Sequence, residues 1–349
     1  MPGLDDRPAC APPVDAVLLV SFGGPEGPDD VVPFLQNVTR GRDVPEERLR
    51  EVGSHYLDLF GGVSPINEQC RALRAALEAE LAERGPAVPV YWGNRNWRPY
   101  LADTLRQMRG DGVRHALAVV TSAFPSYSGC RQYREDWTRA QAEVGEGAPL
   151  VTKVRHYWAE DGFLDPVTQA VRATAPGPDA VLLFTAHSIP TAMARSSGPD
   201  GDGYERALRQ VAASVVGRLG AGHRWELVYQ SRSGPPQVPW LEPDVGDRIA
   251  LLHAEGVREV VMVPIGFTSD HVEVLYDLDV QAQQRVTGLP GLVAKRAATV
   301  GTAPAFVAML RDLLAERMTA PDELADHGGV ATHDRCPASC CPAPARRPS

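Results

Sequence analysis

The chain has 349 residues, 44 % of them apolar, and a formal net charge of −9, a length that suits two domains of ordinary size. The acidic balance argues against non-specific nucleic-acid binding and against an anionic membrane surface. No run approaches the roughly 20 apolar residues that cross a bilayer, and MPGLDDRPACAPPVD is acidic where a secretory leader is basic.

In chain order, AVLLVSF (16–22) reads as a strand, and INEQCRALRAALEAEL as a helix whose apolar face carries Ile66, Cys70, Leu73, Leu77 and Leu81. Further strands are expected at 88–94, 115–124, 179–187, 225–231 and 259–267, each a short apolar run buried on both faces. A last helix, about 304–317, repeats Phe306, Met309, Leu310, Leu313 and Leu314 at helical spacing. Strands alternating with helices predict an α/β fold with parallel sheets covered on both sides. The opening LLVSFGGPEGP is echoed by LLFTAHSIP, so two similar doubly wound lobes are expected, 1–155 and 156–303. The 304–317 helix is expected to pack back on the first lobe, and 318–349 reads as an irregular tail tied down by cysteines. The expected location is the cytoplasm, where the six cysteines would serve as thiols or metal ligands rather than disulfides.

Ligands of such sheets sit beyond the carboxyl ends of the strands. His187 ends one strand, and Pro190 stiffens the turn behind it. It is either a histidine bonded within its loop or one facing a crevice. A second tip, VPIGFTSDHVEVLYDLDV, starts a helix expected to be capped by Ser269 or Asp270. Its Asp270, His271, Glu273, Asp277 and Gln281 offer carboxylates and an imidazole, the groups that move protons or hold metals, or else a solvated helix start. The Gly23-Gly24 turn lacks the spacing of a dinucleotide fingerprint and would instead let a flat ligand approach the backbone. TSAFPSYSGCRQYREDW brings Phe124, Tyr127 and Tyr133 to a strand end, as a large apolar ligand or ordinary packing would require, and YQSRSGPPQVPWLEP, with Arg232 and Trp240, edges a cleft or merely connects. Cys70 reads as a buried thiol. Cys336, Cys340 and Cys341 stand within six residues and suggest a metal site needing a fourth ligand, for which Cys130 is preferred and His333 is the fallback.

Six segments in order resemble the ferrochelatases: LLVSFGGPEGPDDVVPFLQNVTRGR, FGGVSPINEQ, YWGNRNWRPYLADTL, TAHSIP, YQSRSG and VPIGFTSDHVEVLYDLD. The resemblance runs from about residue 16 to 315. It implies two Rossmann-like lobes with a porphyrin between them and insertion of ferrous iron as the activity. It gives His187 iron coordination and pyrrole deprotonation, and Glu273 the orienting of iron or the onward carriage of the proton. Which of the two takes the proton stays open. Asp277 matches a second acid of a carboxylate lane, and Gln281 shortens that lane. Ser64 and Tyr133 resemble porphyrin-contacting positions, and Arg40 and Arg42 suit propionates. Phe22 stands where an axial ligand occurs in some members; it cannot ligate iron and would press on the ring. Some members hold a [2Fe-2S] cluster through three C-terminal cysteines and one internal one, which implies Cys130, Cys336, Cys340 and Cys341 here, in a structural or sensing role.

The actinobacterial look and the absence of a membrane-binding apolar lip favour coproporphyrin III, with coproheme as product, over protoporphyrin IX. A cobalt or nickel chelatase of an acidic tetrapyrrole uses similar ligands. A non-catalytic haem or metal carrier would need no proton acceptor. A monomer is expected, with transient handover of product to the next enzyme of heme synthesis.

Overall fold

The computed structural model describes residues 12–41, 44–220, 222–234, 237–319, 336–337 and 339–344. Cys10, Arg42 and His333 lie outside the described residues.

Two four-stranded sheets form the frame. The first contains β1 (Ala16–Ser21), β2 (Val90–Asn94), β3 (His115–Val120) and β4 (Leu150–Lys153), in the order β2-β1-β3-β4. The second contains β5 (Val181–His187), β6 (Trp225–Gln230), β7 (Glu259–Val263) and β8 (Val293–Arg296), in the order β6-β5-β7-β8. All pairings are parallel. The predicted α/β fold with two similar parallel sheets is therefore what the chain adopts. Strand order reverses beside β1 in one sheet and beside β5 in the other, the place where such sheets bind their ligands, beyond that strand's carboxyl end.

β1 and β3 are buried along their whole length, because helices cover both faces. The edge strands β4 and β8 were not expected. LVTK and VAKR are only partly buried and too short to show as apolar runs. The expected run at 259–267 overshoots β7, since Pro264 has no N–H for the ladder and Ile265 N–H turns back to the Val263 carbonyl at 2.8 Å.

One apolar core is continuous between the sheets, containing Leu19 and Leu117 of the first and Phe184 and Val261 of the second. The helix Pro304–Thr319 packs against the helices Pro65–Arg84 and Asp161–Ala173. Phe306 meets Tyr157 edge-on at 5.7 Å, and Arg311 binds Glu80 at 3.0 Å. Buried Arg155 fastens the same helix from below through Glu316. Truncating Phe306 to alanine would cost about 3–5 kcal/mol. Among the described residues, no helix is long and apolar enough to cross a membrane.

Candidate functional site

The tip of β5 is built to aim one imidazole. His187 pairs in register with Gln230 of β6, and the next peptide N–H, of Ser188, bonds the Gln230 carbonyl at 2.7 Å. Ser188 Oγ donates to Leu241 O, and Pro190 forms a bridge with Trp240. The Pro-rich loop thus braces the turn. His187 Nδ1 lies against the Ser188 carbonyl. A carbonyl only accepts, so Nδ1 carries its proton there and Nε2 is the atom left to react.

Nε2 stands 3.6 Å from Glu273 Oε1. Gly266 makes this approach possible: a Cβ there would sit 2.6 Å from Ala186 Cα, so only glycine lets the segment after β7 run against β5. The helix start differs from expectation. Neither Ser269 nor Asp270 caps it; His271 does, its Nδ1 accepting the Glu273 N–H at 3.2 Å. Asp270 is occupied elsewhere, its carboxylate by Arg296 at 2.9 Å and its backbone by both ends of the Gln69 amide. After the single turn Val272–Val274 the chain widens into a π-helix, Leu275–Ala282. At that wider winding, residues four apart stay on one face, which keeps Glu273 and Asp277 aligned.

Charge follows from these contacts. Desolvation works against an ionised Glu273, whose side chain is still half exposed, but the charge of His187, with His271 behind it, outweighs this and lowers the carboxyl to about 2. Burial also opposes a charged His187, yet Glu273 and the Ser188 carbonyl raise its pKa above the ordinary value. Burial dominates at His271 and lowers it, leaving a neutral cap. Burial pushes Asp277 up to about 7, although Ser231 and Gln230 donate to it. A polar cavity of about 350 Å³ runs outward from Asp277 past Gln281 to Arg285.

The first lobe supplies a different surface. Phe22, just past β1, is half-buried, meeting Phe34 edge-on at 6.3 Å. The Arg95 guanidinium lies 5.9 Å from the Phe22 ring and 4.4 Å from the Tyr133 ring, and is held by Asp136. Tyr133 is 5 % exposed within the core, behind Arg95 rather than open to a ligand. Ser64 is buried too. It sits where a Cβ on Gly24 would meet its own Cβ at 2.5 Å, so the glycine turn admits the protein's own Ser64. Arg40 is exposed beyond the helix Pro28–Val38. No apolar lip was expected, yet Leu57 and Leu59 on the helix Glu46–Phe60 are 42 % exposed, and Val63 is 47 % exposed. That helix reaches the second lobe through His55, stacked on Tyr276 at 3.8 Å.

Gln230, Arg95 and Gln69 were not singled out from the sequence. A polar residue ending the strand beside β5 was the available signal for Gln230, which donates to the Glu273 carbonyl at 3.0 Å.

The cysteines gather separately. Cys130 lies in a second π-helix, Tyr127–Arg131, and packs in one buried cluster with Cys336, Cys340 and Cys341. Arg131 donates to the Cys340 carbonyl at 3.2 Å, and the Gly198 N–H points at Cys341 Sγ at 3.1 Å. None of the four is in a disulfide. The neighbouring thiols and burial raise the pKa of Cys130 and Cys340. Thiolates are therefore unfavourable in this cluster without a cation among them, and a donor set of four sulfurs suits a soft metal centre. Among the described residues, no group of three or more His, Cys, Asp or Glu stands at metal-holding geometry.

Comparison with known proteins agrees with this frame. The family model described as Ferrochelatase matches residues 14–318. The chain is 53 % identical to the coproporphyrin III ferrochelatase of Streptomyces coelicolor, over 97 % of this chain and 96 % of that one. It is 54 % identical to the coproporphyrin III ferrochelatase of Frankia alni (96 % and 88 %) and 52 % identical to a ferrochelatase of Rhodopirellula baltica (97 % and 96 %). In fold it is similar to SirB from Bacillus subtilis, solved with Fe3+, at a TM-score of 0.51 and 10 % identity, over 92 % of this chain and 100 % of that one.

Proposed function

The chain belongs to the ferrochelatase family, and from that premise we propose that it inserts ferrous iron into coproporphyrin III, giving coproheme. The observation that carries this is the facing of His187 Nε2 and Glu273 Oε1 at the tip of the second sheet. The substrate assignment is supported by the names of the relatives and not by surface polarity, given the exposed Leu57, Leu59 and Val63.

The free porphyrin carries two pyrrole N–H groups, and each ferrous ion that enters displaces two protons. The site needs a base and a cation-facing group on one side of the ring. The pKa order divides these roles. Glu273 is held near 2, so it stays ionised and faces the cation. His187, with its Nδ1 proton committed to Ser188, offers Nε2 as the proton acceptor, and the Glu273 charge beside it favours the protonated ring that results. Asp277, near 7, exchanges protons at neutral pH and opens to the polar cavity, which gives them an outlet. Phe22, backed by Arg95 and Tyr133, presses on the ring from the first lobe, Ser64 borders it, and Arg40 pairs with a propionate. In this division the first lobe spans 1–155 and the second 156–303.

Cys130, Cys336, Cys340 and Cys341 would hold a [2Fe-2S] cluster. Such a group would supply reversible one-electron chemistry and a cross-link from the tail to the first lobe. The buried four-sulfur donor set supports this.

The test compares initial rates of ferrous insertion into coproporphyrin III and protoporphyrin IX. The expected result is a clear preference for coproporphyrin III, and equal or reversed rates would overturn the substrate assignment. Visible iron–sulfur absorption of anaerobically purified protein tests the cluster, and a colourless, iron-free protein would defeat it.

A further inference from the structure

The turn that aims His187 is anchored from a side the reaction does not touch. Tyr204, buried on the helix Gly203–Leu219, donates its hydroxyl to the His187 carbonyl at 2.9 Å. The peptide joining His187 to Ser188 is then held at both ends, by Tyr204 at its C=O and by the Gln230 carbonyl at its N–H. The following carbonyl, of Ser188, is the acceptor for His187 Nδ1. The aim of the imidazole therefore depends on a peptide plane that Tyr204 pins.

Tyr204 is in turn fixed by the loop 196–202. Its N–H donates to Ser197 Oγ at 2.8 Å, and the Gly203 N–H donates to Ser197 O at 2.9 Å. Ser197 is fully buried. A Cβ on Gly203 would lie 3.2 Å from Gly198 Cα, so the two ends of the loop are in contact and shift together. Gly198 is the residue whose N–H points at Cys341 Sγ. An unbroken series of contacts thus runs from the cysteine cluster through Gly198, Ser197 and Tyr204 to the His187 peptide.

We propose that the loop 196–202 couples the four-cysteine cluster to His187, and that Tyr204 is the positioning residue at the end of that coupling. The proposal rests on the role assigned to His187 above. Its physical content is local: when Cys341 is not held in the cluster, Gly198 loses its sulfur acceptor, the loop loosens, and the pinned peptide gains freedom. Phe22, Ser64 and Arg40, the porphyrin contacts proposed above, lie off this series, so the porphyrin should bind as before while the imidazole is aimed less often.

The experiment uses the full chain and two readouts: steady-state ferrous insertion, and amide hydrogen exchange over 187–190. Tyr204→Phe is expected to lower kcat about tenfold with porphyrin KM nearly unchanged, since it removes one hydrogen bond to a buried carbonyl. Exchange over 187–190 should quicken. Ser197→Ala should act in the same direction, and the double variant should be no worse than Tyr204→Phe alone, because both lie on one series of contacts. Cys341→Ala should quicken exchange over 187–190 although it is remote from the site; if it fails to fold, Ser197→Ala carries the same readout. Unchanged kcat in Tyr204→Phe, or wild-type exchange over 187–190 in Ser197→Ala or in a folded Cys341→Ala, overturns the coupling. Variants that quicken exchange as expected in a chain whose wild type inserts no iron refute the proposed function and leave the coupling standing.

Discussion

The two lobes repeat one design and fill it with opposite chemistry. Both sheets have four parallel strands in the same order, and in both a π-helix follows the third strand. Past β1 stand Phe22 and the glycine turn, backed by a buried arginine; at the tip of β5 stands His187. The π-helix of the first lobe carries Cys130, and that of the second carries Asp277. The lesson is that the architecture dictates where side chains converge, while the chemistry is chosen tip by tip. Under the proposed function, one lobe supplies a wall and the other a proton-handling face.

The sharpest way to break this comparison is to remove the titratable tip. His187→Ala should lower iron insertion by a factor of about 10²–10⁴ while porphyrin still binds, as quenching of its fluorescence would report. Full activity would sink the assignment. Cutting the wall instead should look different: Phe22→Ala should raise porphyrin KM about tenfold with a smaller change in kcat, as expected for an apolar contact made before and during the reaction. A large kcat loss with KM unchanged would mean that the first lobe also takes part in the chemistry.

The two π-helices allow a parallel contrast. Cys340→Ser should abolish visible iron–sulfur absorption and lower the melting temperature, read by absorbance and calorimetry. Asp277→Asn should do the reverse to stability. The folded carboxyl titrates near 7 against about 3.8 in an unfolded chain, so folding favours its protonated form, and stability falls as pH rises from about 4 to 7. The asparagine variant escapes that loss. It should melt a few degrees above wild type at pH 8 and at the same temperature near pH 3.5. The smallest effect belongs to the rim, where Arg40→Ala should raise porphyrin KM about twofold, because an exposed ion pair is worth little.

Much of this frame was legible because buried parallel strands leave continuous apolar runs, and a polar residue closing such a run is conspicuous. His187 and the carboxylates after β7 were visible for that reason. The amphipathic helix at 66–81 was visible from its period. Three things were not. The short edge strands carry too few residues to make a pattern. The π-helix leaves no local signature, since Glu273, Asp277 and Gln281 at steps of four suit an α-helix equally well. The cap at 271 escaped because Asp270, the better capping residue by type, is taken by Arg296 and Gln69 from distant parts of the chain. The resemblance marks Tyr133 as a porphyrin-contacting position; that Arg95 packs over its ring is visible only in the structure. Competition for a side chain by partners far away in sequence is what a linear pattern cannot express.

The Gln69 amide both donates to and accepts from the backbone of Asp270, and Thr268 of the second lobe donates to the Thr121 carbonyl of the first at 3.0 Å. Two stitches of this kind, close to the strand tips, make a poor hinge. Held this way, the two tips resist a change of spacing, and under the proposed function a flexible macrocycle would conform to them rather than they to it. Under that reading the metallated ring, stiffer than the free ligand, would be gripped less well by the same tips. Turnover on this scaffold would come from the product's loss of pliancy, with no opening of the protein required.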